Sequence, residues 1–149
     1  MSQKKVFDEA FKAAFKEARL AYKAGEIPVG AVIVKDGIII SKAHNLRETK
    51  KSPTAHAEIL AIEKAAKVLG DWRLTGCELY VTLEPCTMCS GAIINSRIKK
   101  VFFSAYDYEA GSAGGRTNVF DESFEIYGGL YKEEAENLLK DFFADKRKD

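Results

Sequence analysis

Three side chains that suit a soft divalent metal, together with one carboxylate, stand in two short segments of this chain. The first segment holds His56 and Glu58, and the second holds Cys86 and Cys89 directly after Pro85. A catalytic zinc ion takes three protein ligands and leaves a fourth position for water, whereas a structural zinc ion closes all four positions. One histidine and two cysteines therefore predict a zinc site with an open position.

The other cysteine and the other histidine fit this site less well. Cys77 stands just ahead of the apolar run 79–83 and has no partner at C-x-x-C spacing, so we interpret it as a small buried residue. His44 has no neighbour at ligand spacing and is interpreted as a packed or surface histidine. Taken alone, Cys86 and Cys89 would also fit a redox dithiol or half of a structural zinc finger, but no second Cys/His pair completes a finger.

Both metal-binding segments are predicted to lie at helix starts. Pro85 marks the first position at which a helix can begin, and the spacing of three between the two following cysteines places both sulfurs on one face. Ser52 or Thr54 is predicted to cap an alanine-rich helix that runs to about residue 69. The free N–H groups and the dipole at such starts favour the thiolate, which is the form of cysteine that binds metals.

Glu58 is the candidate for moving protons. It lies two residues from His56 and is predicted to point to another side of the helix, which makes it a poor fourth ligand but a neighbour of the metal-bound water. Zinc lowers the pKa of bound water to about 7, and a nearby carboxylate can accept that proton and pass it to a leaving group. The alternative role for Glu58 is a glutamate of the first helical turn that only stabilises the helix dipole.

The combination of His-x-Glu with Pro-Cys-x-x-Cys is the signature of zinc deaminases that act on nucleobases. The sequence around it resembles the bacterial tRNA adenosine deaminases, a family of the cytidine deaminase-like superfamily. The similar segments are residues 28–32, 45, 53–58, 79–86, 88–89, 91–93, 96–98, 105–107 and 111–114. This resemblance covers most of the chain and implies a hydrolytic enzyme that converts the wobble adenosine of tRNA anticodons to inosine.

The resemblance also implies roles for individual residues. Zinc-bound hydroxide would attack the amino-bearing carbon, with one Zn²⁺ per chain on His56, Cys86 and Cys89 and with Glu58 as proton shuttle. Asn45 and the backbone N–H of Ala57 would hydrogen-bond the flipped base, and Asp107 would contact the sugar-phosphate region of the target nucleotide. Part of the pocket wall would be formed by Ile27, Pro28 and Val29. Without the family, Asn45 would fit a turn residue equally well.

The partner implied by the resemblance is a tRNA anticodon stem-loop, and the implied assembly is a homodimer. Ile93 and Ile94 are candidates for the contact between subunits, although burial within one subunit would explain them as well. Formal net charge is +1, which does not support a generally nucleic-acid-binding surface. Two local basic clusters, residues 47–51 and 146–148, fit either of two roles: contact with phosphates, or a charged surface that is only solvated.

One segment departs from the family pattern. After Gly114, residues 115–119 lead almost directly to the apolar residues 124–127, without the longer loop and the Asn-His pair that the family usually has there. This segment lies near the substrate mouth in relatives. A shortened rim fits either a different grip on RNA or a smaller substrate, such as guanine, cytosine or a nucleoside. A zinc protein without catalysis is a third alternative, which the open ligand position and Glu58 disfavour.

Length and patterning predict one domain over residues 1–149, with the three-layer α/β/α cytidine deaminase-like fold of the α/β class and a mixed five-stranded sheet covered by helices on both faces. No linker, signal peptide or membrane span is indicated, so we expect a cytoplasmic enzyme whose cysteines serve as ligands.

Trp72 is predicted to pack under a loop. Predicted helices end near residues 24, 69 and 96 and cover 133–146, and predicted strands cover 29–34, 38–41, 79–83, 100–104 and 124–127.

Overall fold

A computed structural model describes residues 2–147 of the chain. This part holds five strands and five helices, mostly at the positions that the sequence patterns predict. The elements are α1 (Gln3–Lys23), β1 (Gly30–Lys35), β2 (Ile38–His44), α2 (Arg47–Lys50), α3 (Ala57–Leu69), β3 (Cys77–Leu83), α4 (Thr87–Asn95), β4 (Lys100–Ala105), β5 (Glu125–Tyr127) and α5 (Lys132–Arg147).

The strands form one mixed sheet in the order β2-β1-β3-β4-β5. Strand β1 is antiparallel to both of its neighbours, and the pairs β3–β4 and β4–β5 are parallel. Asp36 and Gly37 connect β1 to β2 with backbone φ angles of 52° and 77°, the positive values that a two-residue hairpin turn requires. The predicted α/β class and five-stranded mixed sheet are therefore confirmed.

Two hydrophobic cores lie on opposite faces of the sheet. Helices α3 and α4 cover one face, where Ala61, Ile93 and Phe103 are completely or almost completely buried. Helices α1 and α5 cover the other face, where Phe11 packs edge-on against Tyr80. These layers give the predicted α/β/α arrangement. Within residues 2–147, no helix is long and apolar enough to cross a membrane.

The parallel strands determine where chemistry can occur. Because β3 and β4 run in the same direction, their carboxyl ends meet at one edge of the sheet. Strand β3 leads there into the segment Glu84–Cys86 and then into α4, while β4 leads into Asp107. The antiparallel strand β2 ends at the same edge, because its last residue, His44, pairs with Gly30 at the start of β1. Residues far apart in sequence are thus brought to a common site.

Two details of the structure differ from the sequence predictions. The helix of the first metal-binding segment begins at Ala57, and neither Ser52 nor Thr54 caps it, because their hydroxyl groups hydrogen-bond each other 3.3 Å apart. Trp72 is 54% exposed and is not covered by a loop. Its ring is flanked instead by the guanidinium carbons of Arg73, 4.6 Å away, and Arg97, 5.4 Å away.

Gly30 marks the closest approach of the sheet to α1, and this contact yields a stability prediction. A Cβ atom there would overlap the backbone oxygen of Ala14 and lie 2.7 Å from the backbone nitrogen of Ala18. Backbone atoms cannot swing aside as a side chain can, so we expect Gly30→Ala to lower the free energy of unfolding by about 3 kcal/mol or more. Urea denaturation of the purified variant measures this change.

Gly91 is the matched control for this substitution, because a Cβ atom in its place on α4 would meet nothing within 4 Å. Alanine has the higher helix propensity, so Gly91→Ala should leave stability unchanged or raise it by up to about 1 kcal/mol. Equal effects of the two substitutions would contradict the close approach of β1 and α1.

Candidate active site

His56, Cys86 and Cys89 come together at the carboxyl edge of the sheet with the spacing that a metal requires. The Nδ1 atom of His56 lies 3.8 Å from the Sγ atom of Cys86 and 3.6 Å from that of Cys89. Bond lengths to zinc of about 2.0 Å for nitrogen and 2.3 Å for sulfur, at a tetrahedral angle, place such atoms about 3.6 Å apart. The three side chains are therefore positioned to bind one metal ion, and their donor atoms suit zinc.

His56 and Cys86 hold equivalent positions at two helix starts. His56 is the N-cap of α3 and Cys86 is the N-cap of α4, both have extended backbone angles, and neither side chain caps its own helix. A histidine or cysteine is a poor capping residue, and here the ring and the sulfur face each other instead of the backbone. The first-turn N–H groups of both helices are therefore close to the triad and favour negative charge there.

The pKa values of the two thiols in the triad are shifted in opposite directions. A hydrogen bond with Cys89 and another with His56 lower the pKa of Cys86 to about 3, so Cys86 is a thiolate at neutral pH. The hydrogen bond with Cys86 and burial raise the pKa of Cys89 well above its usual range. The hydrogen bond with Cys86 also raises the pKa of His56. Metal binding therefore displaces protons from this site and becomes weaker as the pH falls.

Glu58 lies beside the triad in the second position of α3 and is only 4% exposed. Burial disfavours the charged carboxylate and raises the pKa of Glu58 to about 7. A carboxyl group with a pKa near neutrality can both accept and donate a proton, as a group that works as base and then as acid must do.

A cavity of about 280 Å³ opens onto the triad and Glu58. Its volume is close to the lower end of the range for small-molecule sites. Most of the substrate residues implied by the family resemblance border it. The lining residues are Ile27, Val29, Asn45, Arg47, His56, Ala57, Glu58, Leu83, Glu84, Cys86, Asp107 and Ala110.

Pro28 is the one predicted pocket residue that does not line this cavity. It is buried, while Ile27 and Val29 on either side of it border the cavity. Tyr106, which precedes Asp107, packs edge-on against Phe103 with ring centroids 4.9 Å apart, so its ring belongs partly to the core.

Asn45 is held in place by its own surroundings. It is 8% exposed, its Oδ1 atom accepts the N–H of Arg47 at 3.2 Å, and its Nδ2 atom donates to the backbone oxygen of Ile27 at 3.4 Å. The short helix α2 that follows is anchored by Glu26, whose carboxylate accepts the N–H groups of Glu48 and Thr49. Arg47, the first residue of this helix, borders the cavity.

Three cavity residues, Leu83, Glu84 and Ala110, were not predicted as site residues. Glu84 is 2% exposed and accepts three backbone N–H groups, and Ala110 follows Asp107 in a tight turn. The sequence signal for Glu84 was its position as a single carboxylate between an apolar strand and Pro85. A carboxylate buried at such a position needs several hydrogen bonds to compensate its charge. Nothing in the sequence indicated Ala110.

A second cleft of about 500 Å³ adjoins the metal cavity. The two share the walls formed by Ile27, Asn45 and Arg47, and the far side of the cleft is formed by α5. That side carries Phe143, which is 43% exposed, and Lys146. Lys146 belongs to the predicted basic cluster 146–148, of which Lys148 lies outside the described residues.

Comparison with known proteins agrees with this geometry. Residues 4–105 match the family model described as the cytidine and deoxycytidylate deaminase zinc-binding region. A tRNA-specific adenosine deaminase of Bacillus subtilis (strain 168) is 48% identical over 147 residues, which cover 95% of this chain and 91% of that protein. The chain belongs to the tRNA-specific adenosine deaminase family. The matched family model is a zinc-binding deaminase domain, and His56, Cys86 and Cys89 are positioned to bind one metal ion.

Two solved structures place this member of the deaminase family among its structural neighbours. One comes from a study of A-to-I editing by tRNA:A34 deaminases at the wobble position of transfer RNA, with 37% identity and a TM-score of 0.82 over 88% of this chain and 99% of that chain. The other is a guanine deaminase from Bacillus subtilis, with 46% identity and a TM-score of 0.65 over 76% of this chain and 71% of that chain.

Proposed function

We propose that the protein hydrolytically deaminates the wobble adenosine of a tRNA anticodon to inosine. The observation that carries this proposal is the placement of a zinc triad and a buried carboxylate in one cavity of a chain 48% identical to a tRNA-specific adenosine deaminase. Both the ligands and the proton-transfer group are present, so the chemistry of the family is available to this chain.

His56, Cys86 and Cys89 would hold the zinc ion, which when bound acidifies water and polarises the reacting centre. Glu58 is the residue that moves protons. Its carboxylate takes a proton from the attacking water, and its pKa near 7 lets it return that proton to the departing amino group, so that ammonia leaves and inosine remains.

Asn45 and Ala57 would orient the base in this proposal. Both border the cavity beside the metal triad, where the amide of Asn45 and the backbone of Ala57 can reach the edge of a flipped nucleobase. Asp107 borders the same cavity and would contact the ribose. Its Oδ1 atom accepts the N–H groups of Glu109 and Ala110, and these hydrogen bonds fix the carboxylate of Asp107.

The second cleft favours a polynucleotide over a free base. The metal cavity has a volume of about 280 Å³, and the adjoining cleft adds about 500 Å³ bordered by Arg47, Lys146 and the exposed ring of Phe143. Cations suit phosphates and an exposed aromatic ring suits an unstacked base. Neighbouring nucleotides of an anticodon loop would therefore have a place to bind.

Deamination of a free purine such as guanine is the alternative function. A solved guanine deaminase that is 46% identical over 76% of this chain favours it, and the shortened segment after Gly114 that the family resemblance implies would suit it. The zinc site and Glu58 would serve either reaction, so the two functions differ only in what lies around the metal cavity.

Parallel assays on the purified, zinc-loaded protein distinguish the two functions. The substrates are an anticodon stem-loop with adenosine at the wobble position and a panel of free bases and nucleosides that includes guanine, cytosine and adenosine. We expect inosine in the stem-loop and no turnover of the small molecules. Turnover of a small molecule with the stem-loop untouched would reject the tRNA assignment.

Arg47 provides a prediction specific to the RNA substrate. Arg47 borders both cavities, so Arg47→Ala removes one cation from the surface where a phosphate would bind. We expect the KM for the stem-loop to rise about tenfold with little change in kcat, and the slope of log KM against log salt concentration to fall by about one.

Arg19 is the matched control for Arg47, because it is an exposed arginine on α1, lies outside both cavities, and is 3.7 Å from Glu134. Arg19→Ala should leave the KM and its salt dependence as in the wild-type protein. Identical salt slopes for all three proteins would show that Arg47 does not meet a phosphate.

We further propose that the protein is a homodimer that acts in the cytoplasm, where a tRNA substrate would be met. Ile93 is completely buried within its own subunit, so it is unsuited to a contact between subunits. Ile94 is only partly buried and Val68 on α3 is 62% exposed, which leaves apolar surface on the helices that carry the metal ligands. Sedimentation equilibrium on the zinc-loaded protein tests this assembly, and a monomer at micromolar concentration would contradict it.

A further inference from the structure

The carboxylate of Glu84 is buried without a compensating cation. It is 2% exposed, and among residues 2–147 it takes part in no salt bridge. Three backbone N–H groups compensate its charge. The N–H of Asp107 donates to Oε1 at 2.9 Å, and those of Ala113 and Gly115 each donate to Oε2 at 2.8 Å. All three belong to the segment 107–115, which we call the rim loop.

The rim loop wraps around this carboxylate so closely that side chains are excluded. A Cβ atom at Gly111 would overlap the carboxylate of Glu84, and a Cβ atom at Gly115 would overlap it as well. Each would also lie 2.5 Å from the backbone oxygen of Asp107. The two glycines thus permit the backbone to close around one charged group, whose hydrogen bonds are stronger than those of a neutral acceptor.

The rim loop is hydrogen-bonded directly to the second metal-binding segment, which holds Pro85 and Cys86. The N–H of Ser112 donates to the backbone oxygen of Pro85 at 3.0 Å, and the Oγ atoms of Ser112 and Ser90 are 2.6 Å apart. Gly111 also forms an isolated β-bridge with Cys86. A displacement of the rim loop would therefore move the cavity wall next to a metal ligand.

We propose that Glu84 is a positioning residue, whose buried carboxylate fixes the rim loop against the metal-binding segment and so holds Asp107 at the cavity. This inference rests on the proposed function in so far as Asp107 contacts the substrate. Both oxygens of Glu84 face backbone donors, so the residue acts through the loop and takes no part in proton transfer.

Glu84→Gln is the variant that tests this role. Glutamine has the same shape, but one acceptor oxygen becomes an NH₂ group that cannot accept a hydrogen bond. Losing one hydrogen bond to a buried charged group corresponds to about a tenfold effect or more. We expect amide hydrogen exchange to accelerate at least about tenfold at two or more of Asp107, Ala113 and Gly115, with zinc content unchanged.

The kinetic part of the test separates positioning from general destabilisation. With the substrate that the wild-type protein turns over, the KM of Glu84→Gln should rise about tenfold while kcat stays within about threefold. Loss of folding alone would lower the active fraction without changing the KM. Unchanged exchange at the three amides, or an unchanged KM, would overturn the proposal.

Glu26 is the matched control, because it is also a buried glutamate that accepts two backbone N–H groups, those of Glu48 and Thr49, outside the rim loop. Glu26→Gln should accelerate exchange at those two residues and leave the rim loop as protected as in the wild-type protein. Equal acceleration of the rim loop in both variants would mean a global effect and would also overturn the proposal.

A second variant keeps the inference testable if Glu84→Gln does not fold. Gly115→Ala leaves the carboxylate intact but forces the loop away from it, so the same amides should lose protection and the KM should rise in the same way. Hydrogen exchange needs no substrate. Failure of the wild-type protein to act on the stem-loop would therefore reject the tRNA assignment and leave the role of Glu84 to be decided by exchange and by the KM for a small substrate.

Discussion

Glu58→Gln is expected to lower kcat by about 10³- to 10⁴-fold while the protein keeps its zinc. The size of the effect is that of a general acid–base group placed at the reacting atoms. Glutamine fills the same buried space but can neither accept a proton from water nor return one to the leaving amino group. Glu58 is beside the metal triad without being part of it, so zinc content should stay near one per chain.

The measurement pairs a single-turnover rate with zinc analysis on the same sample. Glu63 is the matched control, because it lies exposed on the same helix and Glu63→Gln removes a carboxylate that faces solvent. Its kcat should equal that of the wild-type protein. Zinc loss in Glu58→Gln would make Glu58 a ligand, and wild-type activity in that variant would leave it only the role of stabilising the helix dipole.

Removal of the metal is the second change for which we expect a large effect. Replacing Cys86 with serine removes a thiolate whose pKa is about 3, and a hydroxyl group does not ionise to replace it. Activity should fall to background. A ligand present at about a thousand times its Kd stabilises the folded state by about 4 kcal/mol, so Tm should drop by about 10 °C.

Chelation of the wild-type protein should reproduce both effects, and added Zn²⁺ should reverse them. Cys77→Ala is the matched control, because Cys77 is a buried free cysteine outside the triad. That variant should keep its zinc and its activity. A chelated protein that still deaminates its substrate would rule out zinc chemistry at this site.

Local signals in the sequence were sufficient to predict much of the fold. Asp36-Gly37 between two apolar runs predicts the hairpin because only positive φ angles make a two-residue turn match the strand twist. The metal triad was predictable for a similar reason. Cys86 follows Pro85, Cys89 stands at C-x-x-C spacing from it, and the sequence holds only two histidines and three cysteines from which the ligands can be chosen.

Contacts between distant segments could not be predicted in the same way. Glu84 hydrogen-bonds residues 23 to 31 positions later, and Glu26 hydrogen-bonds residues 22 and 23 positions later. Such contacts depend on how the segments pack, and no periodicity marks them. The predicted cap at Ser52 or Thr54 was wrong for a related reason, since His56 is the N-cap and its ring contacts Cys86 and Cys89, 30 and 33 positions later.

The most direct test of the tRNA assignment is to incubate the zinc-loaded protein with the stem-loop in ¹⁸O-labelled water and to analyse the product nucleosides by mass spectrometry. The hydrolytic mechanism predicts one inosine per stem-loop at the wobble position, carrying one ¹⁸O atom, and one ammonia released for each inosine. Adenosine that stays intact at the wobble position, under conditions where a free purine is deaminated, would contradict the assignment.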